Sequence, residues 1–211
     1  MEPRKEYYEK QAQVIITNMK RRNFDACYCD IVEEAKQKIA ELLGEKKSIG
    51  YGGSMTLNEN GFKEFLKEKG HEIIIREDYK TKEEQQELKK KLICCDAFFL
   101  SANAVTMDGE IVNIDGAASR ISYMTYGPEE VYLIVGMNKV TADLDSAIKR
   151  ARNVAAPINA IRLNCGTPCT KAGKCMNCLD PNTICCNILI TRFSRIKDRI
   201  KVILVGEDLG Y

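Results

Sequence analysis

The chain has 211 residues, a length that suits one α/β domain or one domain with a small appendage. Its 32 Lys and Arg residues nearly balance its 30 Asp and Glu residues, and a formal net charge of +2 selects neither nucleic acid nor an anionic membrane. The first residues lack the apolar segment of a secretory signal, and no apolar run approaches the ~20 residues of a membrane span. The composition therefore predicts a cytoplasmic globular protein that binds neither nucleic acid nor membranes.

Two amphipathic helices are predicted at the start of the chain. Apolar residues recur near helical spacing over residues 5–22 and again over about 29–43, and Gly44 is expected to end the second helix. We expect residues 1–45 to be helices that pack on the flank of the domain or make the contact of a homo-oligomer.

From residue 47 onward the pattern alternates between strands and helices. Strands separated by helices of 10–15 residues are typical of βαβ units with right-handed crossovers. The predicted fold class is therefore α/β, with a mostly parallel sheet flanked by helices over residues 46–211. The predicted strands are 47–51, 72–75, 97–100, 111–114, 130–135 and 201–205. The predicted helices are 56–69, 81–93, 117–126 and 143–155, the last ending before Pro157.

A glycine-rich turn follows the first of these strands. Gly52, Gly53, Ser54 and Thr56 stand between the strand and the next helix. Glycines let the backbone approach a ligand closely, and a helix N-terminus offers unpaired N–H groups to an anion. These four residues are therefore candidates for binding an anion. The alternative is a tight strand-to-helix turn in which Ser54 or Thr56 is only an N-cap.

A polar segment follows the strand that ends at Leu100. Polar groups among small residues suit a pocket for a polar ligand. Glu110 or Asp115 would serve as a general base or nucleophile there if burial raised its pKa. A hairpin turn at Asp108–Gly109 is the alternative explanation for part of the segment. The candidate ligand-binding residues are Asn103, Thr106, Asn113, Gly116 and Arg120.

A third strand-end loop follows the strand 130–135. It contains Asn138 and Lys139, and the lysine is expected to meet an anionic substrate as a catalytic group. The alternative for Lys139 is an ordinary solvated lysine.

The segment from Cys165 to Cys186 holds six of the ten cysteines of the chain. Cytosolic proteins seldom carry structural disulfides, and thiolates are ligands for zinc and iron–sulfur clusters. The spacing favours Cys169, Cys175, Cys178 and Cys185 as metal ligands. A [4Fe–4S] cluster, a structural Zn²⁺ ion, and reduced thiols or a disulfide all remain open. The four cysteines at positions 27, 29, 94 and 95 are expected to be packing residues.

Four separated motifs resemble the lactate-utilization (LUD) domain family over about residues 30–211. They are GYGGSMT, NAVTMDGEIVNIDGAASR, VGMNKV and AAPIN, in the order of the family. The resemblance implies the Rossmann-like fold of the phosphosugar-isomerase and CoA-transferase superfamily (the NagB/RpiA-like fold). It also implies that the glycine turn cradles an anion, with Asn103, Asp115 and Lys139 lining the same cleft. The cysteine pattern TPC…CxxC…IC likewise resembles that of relatives.

The resemblance further implies an association with oxidation of L-lactate to pyruvate, alongside iron–sulfur partner proteins. The chain is a short, stand-alone form without the ferredoxin-type extension of some relatives, which leaves a direct electron-transfer role open. We predict a protein that binds a small anionic metabolite and serves lactate or organic-acid utilization, with enzymatic activity left open. The alternative is a non-catalytic accessory or redox-sensing subunit that docks an iron–sulfur partner through its cysteine loop.

Overall fold

The computed structural model describes residues 2–211, so Met1, the first residue of the predicted N-terminal region, lies outside the described residues. The helices are α1 Pro3–Arg21, α2 Val32–Leu43, α3 Met55–Glu59, α4 Phe62–Glu68, α5 Lys82–Ile93, α6 Ser119–Thr125, α7 Leu144–Arg150, α8 Ala156–Arg162 and α9 Pro168–Ala172. The strands are β1 Asp25–Cys29, β2 Ser48–Tyr51, β3 Glu72–Ile74, β4 Ala97–Leu100, β5 Ala104–Thr106, β6 Ile111–Asp115, β7 Glu130–Gly136, β8 Val140–Thr141, β9 Asn187–Thr191 and β10 Ile200–Val205.

The main sheet has six strands in the order β1-β10-β7-β4-β2-β3, and every neighbouring pair is parallel. The chain runs from β2 outward to β3 and then returns to β4 on the other side of β2. This reversal makes the gap between β2 and β4 the topological switch point, where α/β sheets usually bind ligands. The predicted α/β fold with a mostly parallel sheet is confirmed.

Both faces of the main sheet are covered, which explains its continuous apolar strands. Side chains alternate across a strand, so Phe98 and Leu100 of β4 face one core while Phe99 faces the other. Helices α1, α5 and α6 cover the first face, and α2, α3 and α4 cover the second. Phe99 stacks on Tyr132 of β7 with ring centroids 4.7 Å apart.

A second sheet of four strands, in the order β8-β5-β6-β9, extends the domain beyond the carboxyl ends of the main sheet. β5 and β6 form an antiparallel hairpin, and β9 pairs antiparallel with β6. Helix α7 and the segment that follows pack small side chains such as Ala147, Ala151 and Ala156 against it. The hairpin confirms the turn at Asp108–Gly109, where Gly109 has a φ of +85°.

The N-terminal region differs from its prediction in one respect. Between the two expected helices lies a strand, Asp25–Cys29, which pairs with β10 and forms an edge of the main sheet. Its short sequence DACYC has no periodicity strong enough to distinguish a strand from an interhelical loop. Residues 25–29 are therefore part of the central layer of the domain.

Two predicted helices are also divided differently. The helix expected over 56–69 is interrupted at Gly61, which adopts a left-handed φ of +66°. The helix expected over 143–155 does not stop before Pro157. A π-helical turn over Ala151–Ala155 widens the backbone, and the chain then continues as α8 to Arg162. Pro157 is tolerated because it occupies the first turn of α8, where its missing N–H group is not needed.

In the described part of the chain, none of the helices combines the length and the apolar character that crossing a lipid bilayer requires.

Candidate functional site

A small cleft lies at the topological switch point, at the carboxyl ends of β2, β4 and β7. We call it the switch-point cleft, and its volume is about 40 Å³. The sequence correctly placed three polar loops at strand ends, and the parallel sheet brings all three to one edge. The cleft is lined by Gly53, Ser54, Met55, Thr56, Ser101, Ala102, Asn103, Arg120, Lys139, Asn159, Arg162 and Tyr211.

Lys139 lies at the base of the switch-point cleft, in a single helical turn directly after β7. Only 2% of the residue is exposed. Its Nζ donates hydrogen bonds to Thr56 Oγ1 at 2.7 Å and to Ser101 Oγ at 3.1 Å. The first hydroxyl comes from the glycine turn after β2 and the second from the end of β4. Lys139 is therefore a buried residue that joins three strand ends, and the alternative of a solvated lysine is excluded by this structure.

The surroundings of Lys139 disfavour its charged form. Burial, together with the positive charges of Arg150 and Arg120, lowers the pKa of the amine from 10.5 to about 7. Glu59 acts in the opposite direction. Neither partner of the amine carries a negative charge that would hold the proton. Near neutral pH, Lys139 therefore exists in both its charged and its neutral form.

Arg120 lines the same cleft, and two nitrogens of its guanidinium are held by hydrogen bonds within the protein. Its Nε donates to Asp115 Oδ2 at 3.0 Å, and its Nη2 donates to the Ile114 carbonyl oxygen at 2.7 Å. Asp115 is 5% exposed and accepts a second, longer bond from the Arg120 backbone at 3.4 Å. Asp115 thus orients the guanidinium. Among residues 2–211 the Nη1 group of Arg120 makes no hydrogen bond, so its donors are available to a ligand.

The outer wall of the cleft comes from α8 and the end of the chain. Arg162 donates from Nε and Nη2 to Asn159 Oδ1, which also accepts from the Tyr211 hydroxyl at 3.1 Å. Deeper in, Arg150 donates to the backbone oxygens of Asn103 and of the neighbouring strand-end loop. Three basic side chains and no acidic one line the cleft among the described residues. The cleft is thus electrostatically suited to an anion.

The glycine turn borders the cleft, as expected, but the reason for its glycines and the strength of the helix dipole that follows differ from the expectation. A Cβ on Gly52 would lie 3.1 Å from the Phe99 carbonyl oxygen, so the backbone needs glycine there for packing. Gly53 faces open space, and Ser54 occupies the N-cap position without a capping hydrogen bond. The helix that follows has only five residues. Such a short helix has little dipole to offer an anion, so the side-chain cations matter more.

Several predicted site residues lie beside the cleft and stabilise its walls. Asn103 lines the cleft, but its Oδ1 accepts the Ile114 N–H at 2.7 Å. Asn113 is fully buried and donates to the Ser101 carbonyl oxygen at 3.0 Å, while its Oδ1 has no partner among the described residues. Asn138 bonds the backbone of the C-terminal segment at Leu209 and Gly210.

Two further candidates lie away from the cleft, on the far end of the β5–β6 hairpin. Thr106 accepts the Glu110 N–H at 2.9 Å within the hairpin turn. The Glu110 carboxylate lies 3.6 Å from Arg22 Nη2, and Arg22 also bonds the Asp108 carbonyl oxygen at 2.7 Å. The turn is therefore pinned to the end of α1, and the structure does not bring Glu110 together with Lys139.

Gly116 contacts the end of the cysteine segment. A Cβ at this position would lie 3.4 Å from the backbone of Ile184, and Asn187 donates to the Gly116 carbonyl oxygen at 3.1 Å. Gly116 therefore serves the junction between β6 and β9.

Sequence reasoning missed five polar residues of the cleft and its walls. Each is unremarkable by itself, because a serine after a strand or an arginine on a helix is common. Ser101 had the best available signal, since it directly follows the buried strand that ends at Leu100. Three others lie in segments that reach the cleft only through the packing of α7 and α8. These missed residues are Ser101, Arg150, Asn159 and Arg162; a fifth, Tyr211, reaches the cleft from the end of the chain.

The six clustered cysteines lie in the loop before α9, in α9 itself and in the irregular segment before β9. Burial of the thiol raises the pKa of Cys185, and the nearby sulfurs of Cys175, Cys169 and Cys178 act in the same direction. The four preferred cysteines are therefore near one another. Arg152 Nη2 donates to the Cys175 sulfur at 3.4 Å and to Asn177 Oδ1 at 2.6 Å.

The donor chemistry of these cysteines fits a soft metal, since four thiols are the ligand set of a structural zinc or an iron–sulfur cluster. Within residues 2–211, however, no three His, Cys, Asp or Glu side chains are arranged closely enough to hold a metal ion. In this structure the thiols of the loop do not converge on one point. Outside the loop, Cys29 and Cys95 are buried as expected, whereas Cys94 is exposed.

Comparison with known proteins agrees with this architecture. A crystal structure of a DUF162 family protein from Deinococcus radiodurans is similar in fold, with a TM-score of 0.54 and 13% identity over 96% of this chain and 98% of the other. A search of curated proteins found no match. The family model of the LUD domain matches residues 12–205, which include both sheets and the cysteine segment. The chain therefore belongs to the LUD-domain family.

Proposed function

We propose that this LUD-domain protein binds a small anionic metabolite in the switch-point cleft, in the service of lactate or related organic-acid utilization. The observation that carries the proposal is the charge of the cleft: three basic side chains line it, and no acidic side chain does among residues 2–211. Its size, about 40 Å³, favours a ligand of a few heavy atoms.

The roles of the cleft residues follow from their contacts. Arg120 is held rigidly by Asp115 and presents its remaining donors to a carboxylate, for which a guanidinium is well shaped. Arg162 adds a second cation at the rim. Lys139 is the group best placed for proton transfer, because it titrates near neutral pH and borders the cleft. Glu110 is bonded elsewhere and has no part in this proposal.

Calorimetric titration with lactate, pyruvate, oxalate and phosphate tests the proposal. Arg162→Gln removes an exposed cation from the rim without removing the partner of a buried charge, and should weaken binding about tenfold. Arg195→Gln is the matched control, because Arg195 is an exposed arginine that does not line the cleft. Failure of all four anions to bind the wild type, or equal weakening by both variants, would contradict the proposal.

A second candidate function concerns the cysteine segment. We propose that Cys169, Cys175, Cys178 and Cys185 hold a [4Fe–4S] cluster or a zinc ion, and that the segment docks an iron–sulfur partner. The soft-ligand chemistry of the four thiols favours a metal, and the 98% exposure of Leu179 within the segment favours a docking role.

Anaerobic preparation followed by metal analysis and visible absorbance tests the second candidate. Cys185→Ser should lose metal, whereas Cys94→Ser, a change at an exposed cysteine outside the segment, should keep it. A colourless protein with one zinc would overturn the cluster, and a metal-free wild type would overturn both forms of the site. The metal content of Arg162→Gln distinguishes the two candidate functions, because this substitution should weaken anion binding and leave the metal content unchanged.

A further inference from the structure

Anion binding makes no use of Lys139 as a nucleophile. An amine that serves only as a cation is best placed beside a carboxylate or in water, yet Lys139 is 2% exposed and contacts two neutral hydroxyls. Two arginines already provide lasting positive charge in the same cleft. The position of Lys139 is therefore more suited to its neutral form.

The hydrogen bonds of Lys139 leave one site on its nitrogen open. A neutral amine has two N–H groups and one lone pair. The two N–H groups match the two acceptors, Thr56 Oγ1 at 2.7 Å and Ser101 Oγ at 3.1 Å. With both donors occupied, the lone pair remains for an electrophile. Since Lys139 borders the cleft, that electrophile would be part of the bound ligand.

The cations around the cleft indicate what else this ligand carries. Arg120 and Arg162 line the same small space and suit a carboxylate. A ligand with a carboxylate for the arginines and an adjacent electrophilic carbon for the amine is a short 2-oxo acid. A volume of about 40 Å³ restricts it to a small member of that class.

We propose that Lys139 attacks the keto carbon of a small 2-oxo acid and forms an imine with it, while Arg120 and Arg162 hold the carboxylate; this inference rests on the proposed anion-binding function. The bond between Nζ and the keto carbon forms, and the carbon–oxygen bond breaks. The keto oxygen leaves as water, with the two protons lost by the amine. No oxidant, reductant or metal is needed. Desolvation beside other cations is a known way to make a lysine nucleophilic.

Reductive trapping on the wild-type protein tests the imine. Pyruvate or glyoxylate is added with sodium cyanoborohydride, and peptide mass spectrometry locates any carboxyethyl or carboxymethyl group. We expect Lys139 to be modified at least about tenfold faster than the exposed Lys149, because at neutral pH a lysine of ordinary pKa is neutral in only about one molecule in a thousand. Modification of Lys139 no faster than that of Lys149 would overturn the inference.

Calorimetry with oxalate separates this inference from the proposed function. Oxalate has carboxylates for the arginines but no keto carbon to react. Binding of oxalate without trapping of pyruvate or glyoxylate at Lys139 would overturn the imine and leave the anion-binding function standing. Absence of binding by oxalate, pyruvate and glyoxylate would overturn both. The Lys149→Met variant, changed at an exposed lysine that does not line the cleft, should keep both oxalate binding and the modification of Lys139.

Discussion

Replacing Lys139 by methionine should change how the stability of the protein depends on pH. Methionine fills a similar volume but does not titrate. In the wild type, the pKa of Lys139 falls from 10.5 in the unfolded chain to about 7 in the folded protein. Between these two values the unfolded chain binds more protons, so the free energy of unfolding rises with pH in this window. Below about pH 7 the wild type bears the full cost of burying the charge.

The magnitude follows from the size of the shift. One pKa unit corresponds to about 1.4 kcal/mol, so the full cost is about 5 kcal/mol. Between about pH 6 and pH 9, the wild type should gain about 3 kcal/mol relative to Lys139→Met. The charged groups that act on the amine are Arg150, Arg120 and Glu59. The hydrogen bonds to the two hydroxyls are lost at every pH, so they cancel in the comparison.

Urea denaturation at several pH values, followed by circular dichroism, measures this difference. The chain has no tryptophan, so far-ultraviolet dichroism is a better probe than fluorescence. Lys149→Met, at an exposed position of α7, is the matched control and should show no such trend. A stability difference between wild type and Lys139→Met that stays constant from pH 6 to pH 9 would refute the reasoning, as would one of opposite slope.

Three further substitutions test the framework that holds the cleft. Gly127→Ala should cost at least about 3 kcal/mol, since Gly127 has a φ of +106° and a Cβ would lie 2.7 Å from the Ile93 carbonyl oxygen; an unchanged melting temperature would contradict this. Thr81→Ala should cost about 1 kcal/mol in thermal denaturation by breaking the capping box with Glu84, whereas Thr81→Ser should retain most of it. Arg199→Met should lower stability by about 3 kcal/mol, because this buried guanidinium serves three backbone carbonyls; urea midpoints equal to those of the wild type would argue against it.

Much of the fold could be predicted because its signals are local. The strand ending at Leu100 and the strand Glu130–Gly136 are continuous apolar runs, as strands covered on both faces must be. Their alternation with helices implied parallel pairing, and parallel pairing places successive carboxyl ends at one edge. The resemblance to the LUD family added the expectation that the glycine turn, Asn103 and Lys139 line one cleft.

Two short strands were not predicted, because the interactions that make them strands are not local. Strand Asp25–Cys29 lies at an edge of the main sheet, and Asn187–Thr191 lies at an edge of the second sheet. Their strand character comes from partners distant in the chain, at Lys201–Val205 and Ile111–Asp115.

The residues of the site were likewise predictable where the signal is local and unpredictable where it depends on packing. The sequence by itself determined the strand ends that are followed by Thr56, Arg120 and Lys139, because strand periodicity and loop composition are properties of neighbouring residues. Only the tertiary structure decided that Lys139 is buried, since burial depends on what packs over a side chain. It likewise brought Arg162 to the rim and carried Glu110 away to α1, because those distances are set by the packing of helices and hairpin against the two sheets.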